Sequence, residues 1–289
     1  MKHPGQRLAC RSTAIASLAV AVACAPKEEA PPPPPPSPPV VTVRASDFTY
    51  TMPAEVAAGY TTFTLVNDGP NLHHMVIARV DSGKTFEDAK AALSKHAPPP
   101  AWLVPVGGPN APDPGGQANA TLDLPVGEYV AFCMVDIPGG VPHTVKGMIS
   151  PLKVVAATGA TAAAPTPTVE IALSDYSFTL SKPLTAGSHT IAVKTNPGQP
   201  HELELIKFAP GKTMDDFGKE MQLMMAGKPL PSPMSASAIG GVAPAIAGIT
   251  QYFTVDLTPG NYALICFIPD AKDGKMHLEH GMIQQFTIQ

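Results

Sequence analysis

Cysteine, histidine and methionine follow one another in the same order twice in this 289-residue chain. Cys133, His143 and Met148 lie in CMVDIPGGVPHTVKGM, and Cys266, His277 and Met282 lie in CFIPDAKDGKMHLEHGM. Both stretches end in His-x-x-x-Gly-Met. A further imidazole stands upstream of each: His73 or His74 for the first, His201 for the second. Two imidazoles, one thiolate and a weak thioether form a donor set that suits copper and one-electron transfer. Taken singly, each residue has a plainer role. A buried cysteine on a strand is ordinarily a small hydrophobe. The recurrence of four ligand types in one order, across segments that have otherwise diverged, is not explained by packing.

Alternation selects among the histidines. In HELELI, His201, Leu203 and Leu205 alternate with Glu202 and Glu204. Glutamates belong in water, so His201 is expected to face inward with the leucines. Overlaying HHMVI points His73, Met75 and Ile77 inward and His74 outward. A one-residue difference in the preceding loop keeps His74 open as an alternative. His277 overlays His143, whereas His280 overlays Lys146 and is expected to face solvent. His is also the commonest metal ligand, so His280 stays open as a substitute for His277. A Cys133–Cys266 disulfide would require two equivalent strand ends to meet closely, and none is expected.

These donors need a scaffold, and the chain repeats one. Ser46-Asp47-Phe48 answers Ser174-Asp175-Tyr176, and Asn67-x-Gly69 answers Asn196-x-Gly198. GKTFEDA answers GKTMDDF, and DLPVGEYVAFC answers DLTPGNYALIC. Segments such as TTFTLVN, YVAFC and HTIAVKT alternate β-branched or aromatic residues with polar ones, which predicts strands. Tyr129 and Tyr262, just after Gly at a strand start, fit the tyrosine corner of Greek-key sandwiches. Thr85 and Thr213, followed by acids, can each N-cap one helix. Met221, Met224 and Met225 have helical spacing and are expected to pack on the sandwich as an adaptable apolar face; a Cu(I)-loading thioether patch is the alternative. The fold class is therefore all-β: two tandem Greek-key β-sandwiches, over residues 40–155 and 169–289, each with one short helical insertion. Residues 156–168 form the linker.

The N-terminus reads as an export signal. Lys2, Arg7 and Arg11 precede STAIASLAVAVA, and small residues lead to Cys24. The apolar run is too short to span a membrane. Residues 1–24 are thus a signal peptide, and the segment before Cys24 resembles a bacterial lipoprotein box, with Ala21 where Leu is usual. That resemblance implies lipidation of Cys24 and a membrane anchor; the other outcome is plain cleavage and a soluble product. Residues 25–39 are a Pro-rich tether whose proline run favours stiff polyproline II. The location expected is the cell envelope or periplasm. The net charge of −4 becomes more negative without the leader's three cations, and no basic patch suggests a nucleic-acid partner. Only Cys133 and Cys266 lie beyond the leader, too few for a disulfide scaffold.

With these motifs together, the chain resembles two tandem cupredoxin (blue copper) domains. The segment from Gly127 through Met148 is similar to plastocyanin in its Gly-x-Tyr-x-x-x-Cys and His-x-x-x-Gly-Met elements. The longer Cys-to-His loop resembles that of copper nitrite reductases. The resemblance implies one copper per domain, held by His73, Cys133, His143 and Met148, and by His201, Cys266, His277 and Met282. It implies an electron carrier that exchanges electrons through an exposed edge of His143 or His277 with redox proteins of the cell envelope. Copper storage or delivery, or a copper-free binding module, are the competing functions. Multicopper enzymes carry His-x-His pairs and a His beside the blue-site Cys. Here Phe132 and Met134 flank Cys133, Ile265 and Phe267 flank Cys266, and no His-x-His occurs. The expectation drawn from this is that the chain is not an enzyme.

Overall fold

A computed structural model describes Met1, Gly5 and residues 36–81, 83–95 and 97–289 of the chain. The expected signal peptide, Cys24 and most of the tether lie outside the described residues. In the first half the elements are β1 (Val40–Ser46), β2 (Thr49–Thr51), β3 (Glu55–Ala57), β4 (Gly59–Asn67), β5 (Val76–Val80), α1 (Phe86–Leu93), β6 (Leu103–Gly107), β7 (Gln117–Leu124), β8 (Gly127–Phe132), β9 (Asp136–Ile137), β10 (Val141–Pro142) and β11 (Ile149–Val155). In the second they are β12 (Val169–Ser174), β13 (Ser177–Leu180), β14 (Gly187–Thr195), β15 (His201–Phe208), α2 (Met214–Met225), β16 (Ala236–Ala245), β17 (Thr250–Leu257), β18 (Gly260–Ile265) and β19 (Ile283–Ile288).

The fold is a two-layer β-sandwich in each half. Alternation places Val43, Phe63, Leu65 and Leu122 of one sheet against Met75, Ile77, Ala131 and Leu152 of the other. The second half repeats this with Ile171, Ile191, Val193 and Phe253 against Leu203, Leu205 and Leu264. Tyr129 donates its hydroxyl to the Pro125 carbonyl at 2.9 Å and Tyr262 to that of Thr258 at 2.6 Å, so both are tyrosine corners. Thr85 and Thr213 cap α1 and α2 in full capping boxes with Asp88 and Asp216. Each helix lies on the outer face of the second sheet. Phe86, Ala89 and Leu93 seat α1 on Val76, Ala78 and Val130. Met214 and Phe217 seat α2 on Ile206, Phe208, Ala263 and Ile265. The methionines expected to do this are placed otherwise: Met221 and Met224 are half-buried and Met225 is 50% exposed. Met224 and Met225 lie on a last turn that α1 lacks.

The halves share their sheets. One eight-stranded sheet runs β13-β12-β14-β17-β7-β4-β1-β2, and one nine-stranded sheet runs β19-β18-β15-β16-β6-β5-β8-β11-β3. The joins are β17 on β7 and β16 on β6, both antiparallel, so equivalent strands meet each other. Glycines permit this approach. A Cβ on Gly107 would lie 1.9 Å from Gln251 Oε1, and one on Gly240 2.8 Å from the Ala118 Cβ, each across the seam and at strongly positive φ.

The seam overturns one expectation. Glu202 and Glu204 do face away from the leucines, but not into water: they are 4% and 5% exposed. The first half's segment 108–113 covers them. Asn110 Nδ2 donates to Glu202 Oε2 at 3.4 Å, and the Ala111 N–H donates to Glu204 Oε2 at 3.2 Å. Alternation sorts residues by face; it does not say what lies beyond the face. Burial pushes the Glu202 carboxyl up to about 7, and burial followed by Glu202's proximity pushes Glu204 well above the usual carboxylate range. Glu204 Oε1 has no hydrogen-bond partner.

A raised carboxyl contributes stability at low pH and loses it as pH rises through the folded-state value. The urea midpoint should therefore fall from about pH 4.3, the ordinary carboxyl value, upward through about pH 7. Val76 occupies Glu204's place in the first half. Glu204→Val should add about 1–3 kcal/mol at pH 8 and flatten this decline, since the Ala111 N–H retains Asn110 Oδ1. An unchanged midpoint at pH 8 would show that the buried carboxyl carries no cost.

Candidate metal centres

Each site is assembled from three chain segments. His73 lies in the loop before β5, three residues ahead of Val76, and His201 opens β15. Cys133 and Cys266 follow β8 and β18 directly. The remaining residues come from the motif His-x-x-x-Gly-Met, whose local structure explains its spacing. His143–Lys146 and His277–His280 each form one 3₁₀ turn. Gly147 at φ 99° and Gly281 at φ 95° then end the turn in the left-handed region. The Met148 and Met282 N–H groups close back onto the carbonyls of His143 and His277, at 3.0 and 2.9 Å. The glycine reversal thereby returns the methionine to the interior beside the histidine.

The donors converge. His73 Nδ1 lies 3.1 Å from His143 Nδ1, which lies 3.4 Å from Cys133 Sγ. In the second half His201 Nδ1 lies 3.1 Å from His277 Nδ1, which lies 3.4 Å from Cys266 Sγ. Within each trio the ligand atoms all fall inside 4.8 Å of one another, and every residue is buried. Met148 and Met282 are fully buried in the same core clusters as Cys133 and Cys266. Both cysteines are free, each within its own half.

The outer nitrogens explain why Nδ1 faces inward. His73 Nε2 is held by Asp47 Oδ1 at 2.7 Å and His201 Nε2 by Asp175 Oδ1 at 3.0 Å. The carboxylate takes the N–H and leaves the Nδ1 lone pair free for a metal. Asn71 in turn grips Asp47 at 2.5 Å, and the Gln199 N–H grips Asp175 at 3.0 Å. The repeated Ser-Asp-aromatic triplet was visible in the sequence as a repeat; its carboxylate role was not recognised. The aromatic of that triplet also acts at the site. Phe48 packs edge-on against His143 at 4.9 Å between ring centroids, and Tyr176 against His277 at 5.6 Å.

That packing corrects the expectation of exposed imidazole edges. His143 and His277 are both fully buried, and their Nε2 atoms have no hydrogen-bond partner. The structure also separates the alternative histidines. His74 is buried rather than outward, and its Nε2 accepts the Met134 N–H at 2.8 Å, anchoring the chain just after Cys133. Glu202 does the same for the Phe267 N–H at 3.0 Å. His280 is exposed and bonds to Asp273 at 3.2 Å, outside the second trio.

The protonation states suit a metal. Burial pushes His143 down to about 4 and lowers His73, His201 and His277, so the imidazoles are neutral at pH 7. Burial pushes both thiols up to about 12. Such a thiol ionises when a cation binds it. Two neutral imidazoles and one thiolate with methionine alongside fit copper.

No family model matches the sequence, and no curated protein sequence matches it. Among solved structures, dithionite-reduced auracyanin from Roseiflexus castenholzii is 23% identical, covering 42% of this chain and 99% of that one, with a TM-score of 0.31. A blue copper oxidase from Nitrosomonas europaea is 15% identical over 88% of this chain and 86% of that one, at 0.27. A copper-containing nitrite reductase from Thermus scotoductus is 12% identical over 86% and 61%, at 0.23. These last two correct the expectation that the chain is not an enzyme. Structures named for an oxidase and a reductase match it over most of its length. The absence of His-x-His argues against one type of copper cluster, not against catalysis.

Two outcomes follow from the site's geometry. Asp47→Ala and Asp175→Ala should each weaken copper binding about 10- to 100-fold at its own site, as measured by chelator competition; equal affinities would show that the carboxylates do not orient the imidazoles. With imidazoles neutral and thiols near 12, uptake should release one proton per site. Apparent Cu(I) affinity should then rise about tenfold per pH unit between pH 6 and 8. A flat profile would exclude the thiols as ligands.

Proposed function

We propose that the chain is an exported protein whose two type 1 copper centres accept and release single electrons. The supporting observation is the convergent His-Cys-His trio, built twice, with a carboxylate on the outer nitrogen of one imidazole each time. His73, Cys133, His143 and Met148 would hold one copper, and His201, Cys266, His277 and Met282 the other. Copper bound in this set supplies one-electron redox chemistry. The chain's contribution is rigidity. Each imidazole is locked by packing or a carboxylate, and each thiol sits at the end of a central strand, so little rearranges as charge changes.

Burial of His143 and His277 sets how electrons reach the sites. Electrons would cross the rings of Phe48 and Tyr176, which stand between the ligand imidazoles and solvent. Partners would be redox proteins of the cell envelope. The N-terminal leader, Cys24 and the Pro-rich tether support export and membrane attachment, and among the described residues no helix is long and apolar enough to cross a membrane.

Copper titration of the full-length chain tests this. Two equivalents should produce an intense blue band that bleaches on reduction. Cys133→Ser and Cys266→Ser should each remove about half of it, and together all of it. Tight, colourless Cu(I) binding would instead support storage or delivery, and absence of copper binding would support a copper-free module.

A further inference from the structure

The two halves differ behind their second ligand histidine. His277 turns Nδ1 toward Cys266 and Nε2 toward Asp270, whose Oδ2 lies 3.9 Å away. That is too long for a hydrogen bond, yet close enough for a charge to act on the ring. Both residues are buried: His277 is fully enclosed and Asp270 is 3% exposed. The Asp270 carboxylate is held in place. Its Oδ2 accepts the Tyr176 hydroxyl at 2.5 Å and the Gln199 side-chain N–H at 2.7 Å, and its Oδ1 accepts the Lys272 N–H at 2.7 Å. Gln199 is fixed in turn, because its Oε1 accepts the Ala271 N–H at 2.7 Å. Three donors on one carboxyl favour its ionised form. A buried negative charge therefore stands beside the ligand imidazole, on the side away from the metal.

The first half folds the same loop with apolar residues at these places. Pro269 pairs with Met276 just before His277, as Asp136 pairs with Pro142 just before His143. One step further along the loop, the Asp270 N–H donates to the Lys275 carbonyl at 2.7 Å, and Ile137 pairs with Val141. Ile137 is thus the counterpart of Asp270. By the triplet repeat, Phe48 is the counterpart of Tyr176. Carboxylate and phenol occur together in the second half and are replaced together in the first. The loop does not need them to form; what they add is charge beside His277.

We propose that Asp270 is a potential-setting residue of the second site, acting through His277 to stabilise the oxidised state and lower the reduction potential. This rests on the type 1 copper reading above. An imidazole that gives Nδ1 to a metal keeps its proton on Nε2, so the N–H faces the carboxylate. The oxidised site carries one more positive charge than the reduced site, and part of that charge spreads over the imidazole. A carboxylate beside the ring favours the more positive state, and burial keeps salt and water from screening it. One electron enters or leaves, with no bond made or broken and no proton moved. Tyr176 moderates the effect, since its hydroxyl draws charge from the oxygen nearest His277.

Cys133→Ser leaves only the second site in the full-length chain. Loaded with copper, that chain is titrated by spectroelectrochemistry at its blue band. In it, Asp270→Asn keeps the size and removes the charge. It should raise the potential by about 59 mV, a tenfold change in the one-electron equilibrium. Tyr176→Phe should move the potential the other way, because Oδ2 loses a donor and the carboxylate keeps its charge. Phe48 shows that the fold accepts phenylalanine there. The opposite signs separate an electrostatic role from a loosened loop, which would shift both variants alike. A potential that fails to rise in Asp270→Asn or to fall in Tyr176→Phe overturns the role of Asp270 and leaves the copper reading intact. Absence of a blue band in the unsubstituted chain overturns both. If Asp270→Asn fails to fold, Tyr176→Phe decides alone, and no fall in potential overturns the proposal.

Discussion

The carboxylate on the outer nitrogen of His73 and of His201 is the contact on which the metal-binding geometry depends. An imidazole has two nitrogens and can present either. Asp47 and Asp175 engage Nε2, so Nδ1 must face the cysteine. Without that contact the trio would be three buried polar groups with no reason to converge. The same short turn that carries the aspartate also carries the aromatic that covers the second histidine. One turn between the first two strands of each half thus orients one imidazole and shields the other.

Shielding and rigidity come from the same packing. His143 and His277 sit at the start of a 3₁₀ turn whose end is forced by a left-handed glycine. That glycine sends the methionine inward and leaves the histidine facing the core. A side chain with a Cβ would be strained there, which explains why the spacing His-x-x-x-Gly-Met survives while neighbouring residues drift.

The seam between halves follows another logic. Two sheets continue across it, so the outer face of β15 is covered by the first half instead of by solvent. Covering it buries Glu202 and Glu204. Glu202 gains a structural task, since it anchors the backbone just after Cys266 as His74 does after Cys133. Glu204 has an oxygen with no partner, a local cost that the rest of the seam must offset. Strand alternation correctly separated the two faces of HELELI but assigned water to a face that meets protein. The buried state of His74 and the enclosure of His143 and His277 were missed for the same reason: each depends on what a distant segment covers.

Much of the site was legible before any coordinates. Donor identity, donor order, the tyrosine corners and the helix caps are local, because they depend on side-chain chemistry and on contacts within a few residues. The repeat then carried each assignment from one half to the other. Three things required the tertiary structure: which imidazole nitrogen faces inward, whether the ligand histidines meet solvent, and what covers the glutamates. Each joins residues more than twenty positions apart, such as Asp47 with His73 or Asn110 with Glu202. Sequence determines what a side chain can do. Only the folded chain decides what stands next to it, because burial and hydrogen bonding are set by neighbours that the chain brings together from afar.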